Sequence, residues 1–84
     1  MIYDLIIIGM GISGITSAIY AKRSNLSILC LEQNDYIGGA LKNIKKINNY
    51  PGYDEISGEE LINNLKKQLD YNNISVNHET VTNI

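Results

Sequence analysis

The chain has 84 residues, a formal net charge of −2 and a hydrophobic fraction of 44%. This length is enough for one small domain, and the weak negative charge excludes the basic surface with which nucleic-acid-binding domains usually contact phosphates. The single cysteine, Cys30, excludes an internal disulfide and a Cys-x-x-Cys redox pair within these residues.

The first uncharged segment, residues 5–19, lacks the features of a membrane span or a leader. It is shorter than the roughly 20 apolar residues that a span needs, and glycine, serine and threonine interrupt it. Asp4, rather than a basic residue, precedes it, which argues against a signal peptide. We therefore expect no membrane partner and a cytoplasmic location.

The first part of the chain predicts a strand, a helix and a second strand. Residues 2–8 (IYDLIII) are apolar on both faces, as in a parallel strand that is covered on both sides. Over residues 12–24 the apolar positions follow a helical period, and residues 27–31 (SILCL) form a second apolar run. This succession is a β-α-β unit, so the predicted fold class is α/β, a Rossmann-like unit with a parallel sheet.

The second part of the chain predicts a long loop and one more helix. Residues 33–56 are rich in Gly and Asn and look irregular, and a loop of this length in a compact domain is usually functional. Ser57 and Glu60 have the spacing of a capping box, which predicts that a helix starts there. Residues 74–76 predict a third strand, and residues 81–84 predict the start of a further extended piece.

Between the first strand and the first helix lies the segment GMGISG, which fits the pattern G-x-G-x-x-G. Gly9 permits a tight turn, Gly11 leaves the backbone open to a pyrophosphate, and Gly14 allows close packing of helix on strand. The amides of Ile12 and Ser13 then face an anion with the helix dipole behind them. Alone, the hexapeptide is weak evidence, because glycine-rich turns also occur where a strand and a helix only pack closely.

Glu32 makes the binding interpretation more specific. It ends the second predicted strand, about 20 residues after the glycines, where dinucleotide-binding folds place an acid on the ribose hydroxyls. A carboxylate there repels a 2′-phosphate, so NADP is disfavoured at this site. The glycines and Glu32 together indicate that the chain binds an adenine dinucleotide, FAD or NAD. They argue against the alternative that Glu32 is only a solvated residue at the end of a strand.

Three further segments, EQNDYIGGAL, NNYPGY and ISGEELINNLKKQ, carry a more specific pattern. With the glycine turn they resemble the start of the low-molecular-weight thioredoxin reductases, and the similarity covers essentially the whole chain. The resemblance implies FAD rather than NAD at this site. It further implies a homodimeric enzyme that passes electrons from NADPH through FAD to a Cys-x-x-Cys disulfide, with thioredoxin or a similar redox protein as partner.

The resemblance also implies a set of cofactor-binding residues. Gly38 and Gly39 match the turn beneath the flavin side of the cofactor. Asn49 matches a residue close to the flavin, and Val81 matches a strand residue near the adenine. Ala40 stands where the family usually has Gln, so a polar contact to the cofactor is missing. The implied set is Gly9, Gly11, Ile12, Ser13, Gly14, Glu32, Gln33, Gly38, Gly39, Leu41, Asn49 and Val81.

No catalytic or metal-binding residue is predicted. His78 is the only histidine, it has no second His or Cys as a metal partner, and no nucleophile–base pair stands out. This fits a flavoprotein, in which the cofactor carries the hydride chemistry and the polypeptide orients it.

We expect residues 1–84 to be one partial FAD-binding domain, because an NAD(P)H domain and a Cys-x-x-Cys pair are absent from them. The expected strand order, 3-2-1, leaves the LIII strand as an exposed apolar edge. Two alternatives stay open: a ferredoxin–NADP reductase of the same architecture, and a truncated, non-catalytic dinucleotide-binding remnant. A reading frame that continues to a Cys-x-x-Cys pair favours the thioredoxin-reductase-like enzyme, and a stop after Ile84 favours the remnant.

Overall fold

The computed structural model describes residues 2–83, which form a three-stranded parallel sheet with two α-helices. The elements are β1 (Leu5–Ile8), α1 (Ile12–Arg23), β2 (Ile28–Leu31), a 3-10 helix (Gly39–Asn43), α2 (Gly58–Tyr71) and β3 (Val76–Asn77). The strand order is β1-β2-β3, and both neighbouring pairs are parallel. The predicted α/β class, β-α-β unit and 3-2-1 order are confirmed.

The hydrophobic core lies between one face of the sheet and the two α-helices. Ile7 and Cys30 are partners in the β1–β2 register, and both are buried. Helix α1 packs on β1 and β2, and α2 packs on α1 and on the 3-10 helix. The core consists of Ile7, Met10, Ile15, Ala18, Cys30, Ile37, Ile56, Leu61, Ile62, Leu65, Leu69 and Ile74.

The opposite face of the sheet is uncovered in the described part of the chain. Ile6 and Ile8 are 53% and 54% exposed, although both are large and apolar. Successive strand residues point to opposite faces, and the helices pack on the face that carries Ile7. The prediction that the first strand is covered on both sides is therefore wrong for residues 2–83. The predicted position of this strand at an edge of the sheet is confirmed by the strand order.

The first strand is shorter than predicted, since it begins at Leu5 rather than at residue 2. The Asp4 amide donates to the Ser27 carbonyl at 2.8 Å, and the Ser27 amide donates to the Asp4 carboxylate at 2.8 Å, so Asp4 is bonded to the segment before β2 although it lies outside the strand. The predicted bounds of the first helix are nearly correct, because Ser24 is its C-cap and Asn25 has a positive φ of 61°.

The third strand lies later than predicted, at Val76–Asn77 instead of 74–76. The Ile74 amide donates to the Leu69 carbonyl at 2.9 Å, so this residue closes the end of α2 rather than pairing with β2. Residues 80–83 form no strand, which makes the predicted extended piece wrong over 81–83, and Ile84 lies outside the described residues.

The long loop is more ordered than predicted. It contains the 3-10 helix, and Ile47 and Ile56 form an isolated antiparallel bridge with N···O distances of 2.6 and 2.9 Å. The prediction of an irregular segment is therefore wrong in part, because one short helix and a single bridge leave no periodicity in a sequence.

The N-terminus of α2 is fixed by the predicted cap. Ser57 Oγ accepts a hydrogen bond from the Glu60 amide at 3.1 Å. The adjoining Gly58 amide donates to the Ile44 carbonyl at 2.8 Å, which ties the start of α2 to the end of the 3-10 helix. Neither helix within residues 2–83 has the length and apolar character that crossing a membrane requires.

Candidate dinucleotide-binding site

The first glycine turn joins the end of β1 to the start of α1. Gly9 has a φ of +93°, a conformation that glycine adopts without steric cost, so the chain turns sharply out of the strand. A Cβ on Gly14 would lie 2.0 Å from the Gly9 carbonyl oxygen, so no larger residue permits this approach of helix to strand. The structural reasons predicted for these two glycines are confirmed.

The start of α1 is open and carries hydrogen-bond donors. Gly11 is the N-cap residue, and a Cβ on it would meet none of the described atoms within 4 Å. The first amides of a helix have no carbonyl partner within the helix, and Ile12 and Ser13 supply two of them. With the positive end of the helix dipole behind them, these amides can donate to an anion such as a phosphate.

The Glu32 carboxylate lies against this turn. Its Oε1 accepts a hydrogen bond from the Met10 amide at 2.8 Å, and its Oε2 accepts one from the Asn34 amide at 3.0 Å. The side chain is only 6% exposed. Each carboxylate oxygen has two acceptor lone pairs, so both oxygens keep capacity for a further donor.

The surroundings of Glu32 keep it charged. The Asn34 amide is the largest cause that holds the pKa of this carboxyl below its ordinary value. Burial acts in the opposite direction, while the amides of Met10 and Gln33 and the positive charge of His78 add to the lowering. A buried carboxylate that stays ionised is suited to accept hydrogen bonds from hydroxyl groups.

A crevice of about 370 Å³ opens at the carboxyl ends of β1 and β2. Ligands of open α/β sheets bind at this edge. The residues that line it are Ile8, Gly9, Leu31, Glu32, Gln33, Glu79 and Val81. Four residues of the predicted site, which come from three separate parts of the sequence, therefore line one crevice: Gly9, Glu32, Gln33 and Val81.

The second glycine turn contacts the first. The Gly38 amide donates to the Met10 carbonyl at 2.7 Å, and a Cβ on Gly39 would lie 3.9 Å from the Cα of Gly11. Gly38 has a φ of +96°, and a Cβ on it would lie 2.6 Å from the Ile62 side chain. The structure thus brings the two predicted glycine turns together beside the start of α1.

The remaining predicted residues do not belong to the crevice lining. Leu41 is half-buried on the 3-10 helix, and the neighbouring Ala40 is exposed. Asn49 is exposed in the loop that the Ile47–Ile56 bridge closes, and it does not belong to the crevice lining. Its proximity to a flavin therefore stays a prediction from the resemblance.

Sequence reasoning missed residues that act through their backbone. Met10, the residue between the first two glycines, is fully buried, and its amide and carbonyl bond to Glu32 and Gly38. Asn34 orients the Glu32 carboxylate with its amide. Any residue type except proline can form such bonds, so no sequence pattern identified these two positions.

Gly58 was also missed, although it lies in the quoted ISGEEL segment. A Cβ on Gly58 would lie 1.6 Å from the Leu41 carbonyl oxygen. Only glycine therefore lets α2 begin directly against the 3-10 helix that follows the second glycine turn.

The donor set fits a dinucleotide. The open backbone at Gly9 and Gly11, the amides at the start of α1 and the ionised Glu32 match a diphosphate joined to a ribose. Within residues 2–83, no group of three or more His, Cys, Asp or Glu side chains could hold a metal ion.

Comparison with known proteins assigns the chain to a family that uses such a cofactor. The family model described as FAD dependent oxidoreductase matches residues 4–79. The chain belongs to this family, and its cofactor is FAD, as predicted.

Within the family the chain is thioredoxin reductase-like. It is 47% identical to the thioredoxin reductase of Bacillus subtilis (strain 168) over 64 residues. This aligned segment covers 76% of this chain and 20% of that protein. The structure of thioredoxin reductase from Streptococcus pyogenes MGAS5005 matches with a TM-score of 0.82 and 47% identity, over 88% of this chain and 24% of that one.

A third similar protein is the Ferredoxin-Flavin Thioredoxin Reductase from Clostridium acetobutylicum. Its structure matches with a TM-score of 0.88 and 37% identity, over 94% of this chain and 27% of that one. The chain thus spans only about a fifth to a quarter of the length of the proteins it matches.

Proposed function

We propose that the crevice between the first glycine turn and Glu32 binds the adenosine diphosphate half of FAD. The position of Glu32 carries this proposal. Its carboxylate is buried, ionised and bonded to the Met10 amide, directly beside the open backbone at Gly9 and Gly11. Among the described cavities, this crevice alone is lined by a buried carboxylate, and Gly9 of the first glycine turn lines it as well.

The residues around the crevice have separate tasks in this proposal. The amides of Ile12 and Ser13 donate to the pyrophosphate, and Glu32 accepts from the ribose hydroxyls. Gln33 and Val81 line the crevice where the adenine would lie. FAD, when bound, supplies the hydride and electron transfer, and these residues bind and orient it.

The second glycine turn extends the proposed site toward the flavin. The contact between Gly39 and Gly11 supports this assignment, because it places the second turn next to the proposed pyrophosphate position. The family resemblance places Leu41 and Asn49 on the flavin side of the proposed site as well. Ala40 adds no polar contact there.

We further propose that residues 1–84 are part of a larger FAD-binding domain. The uncovered apolar face with Ile6 and Ile8 supports this, because a complete domain of this class covers both faces of its parallel sheet. The chain covers from 20% to 27% of the length of the three matched proteins, which is compatible with a part of a larger domain.

For the whole protein we propose the activity of a thioredoxin reductase. Electrons would pass from NADPH to the flavin, then to a Cys-x-x-Cys disulfide, and finally to thioredoxin, in a cytoplasmic homodimer. The identity to the Bacillus subtilis enzyme supports this activity. The NADPH-binding site, the Cys-x-x-Cys disulfide and the dimer contacts would lie in residues other than these 84.

A ferredoxin-linked flavoprotein is the second candidate. The structural likeness to the Ferredoxin-Flavin Thioredoxin Reductase, with a TM-score of 0.88, favours it. The ferredoxin–NADP reductase and the non-catalytic remnant remain alternatives. A reading frame that continues to a Cys-x-x-Cys pair would favour the disulfide reductase over both.

Anaerobic flavin spectroscopy on the purified whole protein tests these proposals. We expect the absorbance bands of bound FAD, bleached by NADPH and recovered on addition of oxidised thioredoxin. Bleaching by reduced ferredoxin alone would favour the second candidate. A protein without flavin that takes up none from excess FAD would contradict FAD binding itself.

A further inference from the structure

We propose that His78 is a positioning residue for the dinucleotide site, because it fixes the turn that orients the Glu32 carboxylate. This inference rests on the proposed function of the crevice. His78 itself does not belong to the crevice lining, so its effect on the cofactor would be indirect.

His78 forms a hydrogen bond with the turn after β2. The Nδ1–H of His78 donates to the carbonyl oxygen of Asn34. The amide of the same Asn34 donates to Glu32 Oε2 at 3.0 Å. His78 and Glu32 are thus joined through the backbone of one residue.

The end of β3 positions His78 beside this turn. The Glu32 amide donates to the Asn77 carbonyl at 3.0 Å, which continues the β2–β3 pairing to the edge of the crevice. His78 directly follows that residue. The end of β3 therefore holds both the backbone of Glu32 and the ring that fixes Asn34.

Packing in the core does not explain the presence of this histidine. Its side chain is exposed, so it contributes little to the core. The positive charge of its ring is felt at Glu32, where it lowers the pKa of the carboxyl. Both effects act on the same acid, and both favour the ionised and oriented form that a ribose would need.

Without the Nδ1–H donor, the Asn34 carbonyl would bond to water and the turn would lose one restraint. The Glu32 carboxylate would keep its bond to Met10 but hold its second oxygen less firmly. The net contribution of one ordinary hydrogen bond corresponds to roughly a threefold to tenfold change in a dissociation constant. We expect a loss of FAD affinity of about this size.

The test is a double-mutant cycle on FAD binding by the whole protein, measured by calorimetric titration of the apoprotein. His78→Leu removes the donor, His78→Asn keeps an N–H group near the position of Nδ1, and Ser75→Ala is the control at an exposed position before β3. We expect weaker binding by His78→Leu, rescue by His78→Asn and no change in the control. In a Glu32→Ala background, His78→Leu should have no further effect.

A second readout does not depend on cofactor. NMR of ¹⁵N-labelled histidine, assigned through the His78→Asn variant, should show a protonated Nδ1 when the ring is neutral. An Nε2–H tautomer would overturn the proposal, as would unchanged FAD affinity in His78→Leu or an equal loss in the Glu32→Ala background. These results differ from a wild-type protein that binds no FAD, which would overturn the proposed function itself.

Discussion

The Gly38 amide donates a hydrogen bond of 2.7 Å to the carbonyl of Met10, and this contact joins the two glycine turns of the fold. The amide of the same Met10 donates to Glu32 at 2.8 Å. One fully buried residue therefore fixes the acid on one side and the second turn on the other. The cofactor-binding elements are coupled through backbone bonds around a core side chain, so they should respond together when the turn is disturbed.

Glu32→Ala should weaken FAD binding by roughly tenfold to a hundredfold, the range expected for charge-assisted hydrogen bonds. The matched control is Glu79→Gln, which neutralises another acid that lines the same crevice. Calorimetric titration of the two apoproteins measures the difference. Equal affinity in Glu32→Ala and wild type would remove this acid from the site.

Gly11→Ala and Gly14→Ala should separate binding from folding. Space is open at Gly11 toward the described residues, and its φ of −75° suits alanine, so the melting temperature should stay close to wild type while FAD affinity falls. At Gly14 the added Cβ would overlap the Gly9 carbonyl, which should destabilise the fold by about 1–3 kcal/mol or more. Thermal unfolding and FAD titration of both variants check this. Full FAD affinity in Gly11→Ala would contradict the proposed pyrophosphate position.

Glu32 should make stability depend on pH in the acid range. Its pKa is lower in the folded chain than its ordinary value, so its stabilising contribution is complete above that ordinary value. The contribution is lost as the pH falls through the lowered pKa of the folded state. Urea unfolding of wild type and Glu32→Gln should show a difference in unfolding free energy that is largest near neutral pH and closes on acidification. A difference that is independent of pH would show that the charge is unimportant.

Cys30 should be unreactive in the folded protein. It is 1% exposed, and burial raises the pKa of its thiol, so little thiolate is present at neutral pH. The measurement uses a variant of the whole protein in which Cys30 is the only cysteine left. A chromogenic thiol reagent should label Cys30 only after the protein is unfolded in denaturant. Rapid labelling of the native protein would mean that the sheet opens readily at β2.

Much of the fold could be predicted because its determinants are local. The run of apolar residues before Gly9, the helical period after Gly11 and the cap at Ser57 each fix an element through short-range chemistry. The 3-10 helix and the Ile47–Ile56 bridge could not be predicted, because one short helix and a single bridge leave no periodicity in the sequence.

The candidate site divides in the same way. Gly9, Gly14 and Glu32 follow from a known spacing, and the structure brings them together. The roles of Met10 and Asn34 depend on where the backbone places an amide, and a sequence contains no information on that point. The family pattern supplied the second glycine turn, and the structure explains its place through the bond to Met10.

The most direct test is a crystal structure of the whole protein with FAD. We expect the ribose hydroxyls on the Glu32 carboxylate and the pyrophosphate on the amides of Ile12 and Ser13. An FAD molecule bound elsewhere, with Glu32 bonded only to the backbone of Met10 and Asn34, would contradict the proposed site.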